Sequence, residues 1–382
     1  MDSKRPRVLT LFPSAVGGGA ERMVLEQIRR SDRFPYAHTA IALRAADLHA
    51  DFSTFPSYEC VHAGTRLNPL ALRRIHRAIA ARGIDILHTH LQEADFYGFW
   101  LKKLNPHLIW ISSRQNTDAY RQRLFWRTLN RGISHSTDRV VAASAAVRDF
   151  VGRYEGISAE KVSVVHNAIN LDRFAEPRPT AAARAAFGLP PDAFVVGIVG
   201  RLSPQKGHPY LFEAAARLAP EIPELRLLVV GKGHLARKLR RLAGTLGIAD
   251  RVSFVGFHED MATAYAAMDV FCMPSLFEGL PLALLEALIC GKVAVAARAP
   301  GITDVLVDGE NGLLVDVADP VSLAAALLRV RRGESDPDMP RRARAAALAE
   351  YDVERYLARL EAIYLDMFAT AAPPPAASAA IR

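Results

Sequence analysis

The chain has 382 residues, half of them hydrophobic and 23% charged, which excludes a disordered chain and suits two domains better than one core. Three cysteines, Cys60, Cys272 and Cys290, are too few and too scattered for a disulfide framework or a zinc site, and fit a reducing compartment. The net charge of +8 is uneven: residues 1–173 hold 25 Lys/Arg against 16 Asp/Glu and the rest is near neutral, so either the first half faces something anionic or its arginines decorate solvated helices.

Lys4, Arg5 and Arg7 precede an apolar run, Val8–Phe12, that is too short for a signal-peptide core and reads as a first strand. Further strands are expected at His38–Leu43, Ile84–His88, Ile109–Ser112, Arg139–Ala142 and Val162–Val165, with helices over Ala20–Arg30, Pro69–Ala81 and Ser144–Tyr154. The rhythm pauses at Asn167–Ala193, where Pro177, Pro179, Pro190 and Pro191 mark a linker. It restarts with strands at Val195–Val199, Arg226–Val230, Val252–Val255, Val270–Met273, Val293–Ala297 and Gly312–Val315. Helices are expected between them at Pro209–Leu218, Leu235–Leu246, Met261–Met268, Pro281–Ile289 and Pro320–Arg331. This alternation predicts an α/β fold of two doubly wound, Rossmann-like domains facing a central cleft, spanning 1–172 and 173–350. A last helix over 351–369 is expected to pack back across the domains, and 370–382, rich in Pro and Ala, reads as a disordered tail. No stretch approaches the roughly 18 apolar residues of a membrane span, so the protein is expected to be soluble and cytoplasmic.

Two segments carry the chemistry. The first, Gly197-Ile198-Val199-Gly200-Arg201-Leu202-Ser203-Pro204-Gln205-Lys206-Gly207, leaves a buried strand and turns sharply, its glycines open to close approach by a ligand. Arg201 and Lys206 lie beyond the strand's carboxyl end, where open α/β sheets bind ligands. A guanidinium fork and a compact ammonium suit a diphosphate, although alone they could be two surface cations. The second, Phe277-Glu278-Gly279-Leu280-Pro281-Leu282-Ala283-Leu284-Leu285-Glu286, puts Pro281 in the first turn of a helix. Glu278 and Gly279 then stand at its N-terminus, where free N–H groups favour a phosphate and Glu278 can accept from sugar hydroxyls. Glu286 lies two turns along an apolar helix and needs a partner, either a ribose diol or a structural salt bridge.

Gly200-Arg201-Leu202 with Lys206-Gly207, followed by Glu278 and Glu286, resembles the retaining glycosyltransferases of family 4, which have the GT-B fold. The similarity runs over most of the chain. Val164–Asn170 resembles the segment before the family's interdomain linker, with Ala168 where Gly is usual, and Gly231-Lys232-Gly233 its glycine turn after a strand. Ala299-Pro300-Gly301-Ile302-Thr303-Asp304 resembles its donor-side loop, with Asp304 in place of the usual Glu. Gly17-Gly18-Gly19-Ala20-Glu21-Arg22 matches its first loop; read alone the three glycines make an open or merely tight turn, not a dinucleotide fingerprint. The resemblance implies that Gly18 or Gly19 lies against the donor phosphates. Alternation puts His88 and His90 on one side of their strand, and without a third ligand nearby they make no familiar metal site. The resemblance implies that His90 stands near the transferred sugar, positioning and polarising, with His88 the weaker match, on the acceptor side. Arg114 and Asn116, in Ser113-Arg114-Gln115-Asn116 after another strand, are further acceptor-side candidates.

Asp336-Pro337-Asp338 spells the carboxylate pair of metal-dependent sugar transferases but lies in a polar stretch between helices and reads as a loop. Tyr120–Arg131 interleaves Tyr120, Leu124, Phe125, Trp126 and Leu129 with Arg121, Arg123, Arg127 and Arg131, the mix of an interfacial helix or of an ordinary amphipathic one. The resemblance implies hexosyl transfer from a nucleotide-diphosphate sugar to a hydroxyl acceptor, with retention at the anomeric carbon. The expected donor set is Gly18, Gly19, Gly200, Arg201, Lys206, Glu278, Gly279, Leu280 and Glu286, and catalysis draws on His90, Glu278, Arg201 and Lys206. Cations and helix N-termini meet the leaving-group charge, so no metal or other cofactor is expected. The expected acceptor is a lipid-linked or cell-surface saccharide, reached by peripheral contact with an anionic membrane at its inner face; nucleic acid is not an expected partner. The alternatives are a small soluble acceptor or a non-catalytic sugar-nucleotide-binding partner.

Overall fold

Runs such as Val8–Phe12 and Phe194–Val199 are nearly continuous in apolar residues, so they are satisfied only with both faces covered. The computed structural model, which describes residues 5–15, 18–64, 67–117, 123–176 and 178–371, places them inside two parallel sheets. The chain divides into two units, Met1–Asn167 with Glu354–Arg382, and Ala168–Val353. The division falls a few residues before 172 because Ile169 is already tied to the end of the second unit. Its N–H donates to the Tyr351 carbonyl at 2.8 Å, and its carbonyl accepts from Val353 N–H at 3.1 Å.

The first unit alternates β1 (Arg7–Ser14), α1 (Gly19–Arg29), β2 (Ala37–Arg44), α2 (His49–Ser53), β3 (Tyr58–Cys60), α3 (Pro69–Arg82), β4 (Ile86–His90) and α4 (Leu91–Leu104). It continues through β5 (Ile109–Arg114), α5 (Leu124–His135), β6 (Arg139–Ala142), α6 (Ala145–Glu155) and β7 (Val162–Val164). The strands pair in parallel in the order β3-β2-β1-β4-β5-β6-β7. Local chemistry sets the helix ends. Asn68 accepts from Leu70 and Ala71 N–H ahead of Pro69, Gly83 (φ +59) closes α3, and Ser144 caps α6 through Val147 N–H. Between its caps α3 buries Ala71, Ile75 and Ile79, each isoleucine contributing about 1.5–3 kcal/mol.

The second unit runs α7 (Thr180–Ala186), β8 (Phe194–Val199), α8 (His208–Leu218), β9 (Leu225–Val230), α9 (Ala236–Thr245), β10 (Val252–Gly256), α10 (Met261–Ala266) and β11 (Val270–Met273). After it come α11 (Leu282–Ile289), β12 (Val293–Ala297), β13 (Leu313–Val315), α12 (Pro320–Arg331) and α13 (Met339–Glu350). Its parallel order is β10-β9-β8-β11-β12-β13. The last helix, α14 (Val353–Thr370), packs its Tyr364 against Tyr36 and His88 of the first unit. Residues from 372 onward, with Lys4, Gly17, Tyr120 and Arg121, lie outside the described residues. Among the described residues no helix is long and apolar enough to cross a membrane.

Candidate functional site

In each sheet the strand order reverses once, beside β1 and β4 in the first unit and beside β8 and β11 in the second. Crossovers leave such a pair toward opposite sides, and the gap beyond the carboxyl ends is where doubly wound sheets bind ligands. The segments after β8 and β11 are the two that the sequence singles out.

Gly200 follows β8 directly, and a Cβ there would lie 3.1 Å from the Lys206 stem, so its absence lets Lys206 fold back along the loop. Lys206 ends a short 3-10 turn, Pro204–Lys206, and its ammonium stands 2.7 Å from Glu278 Oε1. Gln205 Nε2 donates to the Phe277 carbonyl at 2.9 Å and reaches Glu278 Oε2 at 3.4 Å. The loops after β8 and β11 are thus stitched by charge and by an amide. Arg201 is exposed and has no ion-pair partner among the described residues.

The Glu278 N–H donates to the Pro300 carbonyl at 3.1 Å. Gly301, at φ +78, is required there, because a Cβ would stand 2.6 Å from the Glu278 carbonyl. Gly279 and Leu280 are buried in the turn that leads to α11, Pro281 is the N-cap, and Asp304 is half-buried. Glu286 is buried in α11 and accepts from the Tyr265 hydroxyl at 2.8 Å. Burial, and then the Glu286 charge, push the Tyr265 pKa well up and keep that hydroxyl a donor. A phenol, that of Tyr265, is thus one partner of Glu286. His208, first residue of α8, is buried with neither ring nitrogen partnered; burial, then the Lys206 charge, lower its pKa to about 4.

In the first unit Gly18 is the N-cap of α1 and Gly19 its first residue. The Glu21 carboxylate lies over Gly18, where a Cβ would meet its Oε2 at 2.5 Å. An anion of the chain itself thus stands where the resemblance places a donor phosphate. At the end of β4, His88 and His90 are fully buried, their ring centroids 4.3 Å apart and planes inclined by 36°. His88 Nδ1 is 2.6 Å from the Tyr364 hydroxyl and Nε2 is 2.7 Å from Ser113 Oγ. With both nitrogens engaged inside the fold, His88 has none left for an acceptor, which corrects the acceptor-side expectation. His90 is the opposite case: neither nitrogen has a partner, and burial, then the nearby His38, lower its pKa to about 3.

Arg114 is a second correction. Alternation along β5 sends Ser112 and Arg114 to one face and Ser113 to the other, with His88. The Arg114 guanidinium is 1% exposed, ion-paired with Asp95 of α4 and with Glu155 of α6 and bonded to Ser134 Oγ at 3.0 Å. It braces helices onto the sheet and has no face toward a substrate. Asn116 is half-buried, its Oδ1 accepting from Thr117 N–H at 2.9 Å. Asp336 bonds Asp338 N–H and pairs with Arg342 at 2.7 Å, a loop ahead of α13. On α5, Leu124 and Phe125 are 78% and 70% exposed, with Arg123, Arg127 and Arg131 exposed beside them in sequence.

Gln205, Tyr265, His208 and Tyr364 are absent from the expected set. No spacing links Tyr265 to Glu286 or Tyr364 to His88; only Gln205, inside the quoted loop between Arg201 and Lys206, carried a signal.

Residues 17–173 match the family model described as Glycosyltransferase Family 4, and residues 180–349 that described as Glycosyl transferases group 1. In succession the two models take in most of the chain, and it belongs to the family 4, group 1 glycosyltransferases. A D-inositol 3-phosphate glycosyltransferase of Streptomyces scabiei is 39% identical over 231 residues, 57% of this chain and 50% of that protein. The chain therefore spans about half the length of such curated relatives. The UDP-Gal:alpha-D-GlcNAc-diphosphoundecaprenol alpha-1,3-galactosyltransferase of Escherichia coli is 25% identical over 306 residues, 78% of this chain and 79% of that one. The structure of Anabaena HepE in complex with UDP and glucose superposes with a TM-score of 0.84 at 21% identity, covering 95% of this chain and 100% of that one. The fold is GT-B.

Proposed function

We propose that the protein transfers a hexosyl group from a nucleotide-diphosphate sugar to a hydroxyl acceptor, with retention at the anomeric carbon and without a metal ion. The observation that carries this is the Lys206–Glu278 pair on the loops after β8 and β11, with the exposed Arg201 on the first of them. As the bond from the anomeric carbon to the β-phosphate oxygen breaks, charge grows on that oxygen, and two cations and the N-terminus of α11 meet it. Lys206 exchanges Glu278 for the diphosphate, which frees Glu278 to accept from the sugar hydroxyls. Glu286 accepts from the ribose diol, with Tyr265 holding the carboxylate in place. Gly18 and Gly19 line the donor once the Glu21 carboxylate turns away from Gly18, and His90 polarises the transferred sugar. The acceptor oxygen bonds to the anomeric carbon, and its proton goes to the departing diphosphate.

The acceptor we favour is a lipid-linked or cell-surface saccharide, with the protein in the cytoplasm and in peripheral contact with an anionic membrane. The basic first half, the exposed apolar and arginine residues of α5, and the diphosphoundecaprenol acceptor of the Escherichia coli relative support it. A small phosphorylated polyol is the second reading, supported by the name of the Streptomyces relative. Nucleoside diphosphate release from UDP-, GDP- and ADP-glucose, measured with octyl glucoside, with inositol phosphate and with neither, tests the function. Release that rises only with an acceptor and survives EDTA supports metal-free transfer. Acceptor-independent release points instead to a hydrolase, and binding without release to a silent partner.

A further inference from the structure

Resting on the reading of His90 as a group at the reacting centre, we propose that Tyr364 is a positioning residue for the transfer, anchoring His88 as the plate that sets the plane of the His90 ring. A polarising imidazole must be held in one orientation, and hydrogen bonds usually hold it. His90 has none on either nitrogen, although it is fully buried. What it has is the ring of His88, 4.3 Å away centroid to centroid. His88 is clamped from two directions: by Tyr364 on α14 at 2.6 Å, across 276 residues of sequence, and by Ser113 on β5 at 2.7 Å. Tyr364 is itself held edge-on by Tyr36, with centroids 5.2 Å apart and planes at 85°. The backbone points the same way. Leu91, which follows His90, adopts φ +65, uncommon for a residue with a branched side chain, so the strand-to-helix junction holds His90 at a cost in strain. If Tyr364 and His88 only filled the core, the bare nitrogens of His90 and the strained turn after it would have no account.

Tyr364→Phe removes the hydroxyl and keeps the ring; Ser113→Ala removes the opposite anchor and carries the test if the first variant does not fold. Both are made alone and combined with His90→Ala, and release of nucleoside diphosphate from UDP-, GDP- and ADP-glucose is followed with octyl glucoside present. The expected result is a kcat about tenfold lower for each anchor variant, donor KM unchanged within about twofold, and no further loss once His90 is Ala. Losses that multiply in the double variants mean that the anchors act through general stability, which overturns the proposal. Full turnover in the anchor variants beside a slow His90→Ala overturns it too, while leaving the role of His90 intact. A fully active His90→Ala, or a parent that turns over none of the three donors, overturns the underlying reading and the inference with it.

Discussion

Two clusters of cations and carboxylates stand at strand ends in this molecule. Arg114, with Asp95 and Glu155, is 1% exposed and saturated by partners from α4, α5 and α6. Lys206 and Glu278 are 17% and 6% exposed and ion-paired on the loops after β8 and β11, with an exposed arginine five positions before the lysine. A buried pair cannot be exchanged cheaply, because each ion is stranded without the other. A pair on loops at the point where strand order reverses can trade one anion for another. The same residue types therefore brace the fold in one place and await a ligand in the other.

The sharpest way to break this contrast is to swap the expected consequences. Arg114→Ala leaves two carboxylates buried without their cation and should lower unfolding free energy by about 3–5 kcal/mol in urea titrations, with donor affinity of the folded fraction unchanged. Lys206→Ala should act mainly on turnover, cutting it by roughly 10²–10³-fold, as for loss of one group aimed at leaving-group charge. The change in stability should be smaller, because one carboxylate rather than two loses its cation and Gln205 still reaches it. If Lys206→Ala proved the more destabilising and the less harmful to turnover, the two clusters would have been assigned backwards. Glu286→Gln keeps the shape and removes a charge that a diol can donate to, so donor KM should rise by about tenfold or more. Tyr265→Phe should give a milder rise of the same kind.

The smallest expected effect concerns the uncharged histidines of the first unit. Burial holds His38 at a pKa of about 4, and burial with His38 holds His90 at about 3, both below the unfolded value. Below about pH 6.5 the unfolded chain takes up protons that the folded one refuses, so their contribution is whole above that pH and falls as pH drops toward 4. From pH 7 to pH 6 the two together should cost roughly 1 kcal/mol of unfolding free energy. His90→Phe and His38→Phe should flatten that slope; a slope they leave unaltered would mean that the rings are not buried neutral.

How far the sequence reached follows the same division. Strands such as Phe194–Val199 and Val270–Met273 were legible because runs buried on both faces carry their own signal. β3, half-buried and three residues long, has no period to read, α4 follows β4 without a loop, and α13 offers mainly alanine and arginine. The donor-side loops were legible because glycine, proline and charge cluster within a few positions. Arg114 misled for a physical reason: a strand-end arginine looks alike from the sequence whether its parity sends it to the crevice or under the helices. His88 misled in the same way, since the Tyr364 that occupies it lies 276 residues away.

The central claim is that the loops after β8 and β11 hold a nucleoside diphosphate through Lys206. Isothermal titration of UDP, GDP and ADP into the parent and into Lys206→Ala, each checked for a cooperative thermal transition, tests it most directly. The account predicts that at least one nucleotide binds the parent and that the substitution weakens it by tenfold or more. Binding of equal strength to both proteins, or of no nucleotide to either, would contradict it.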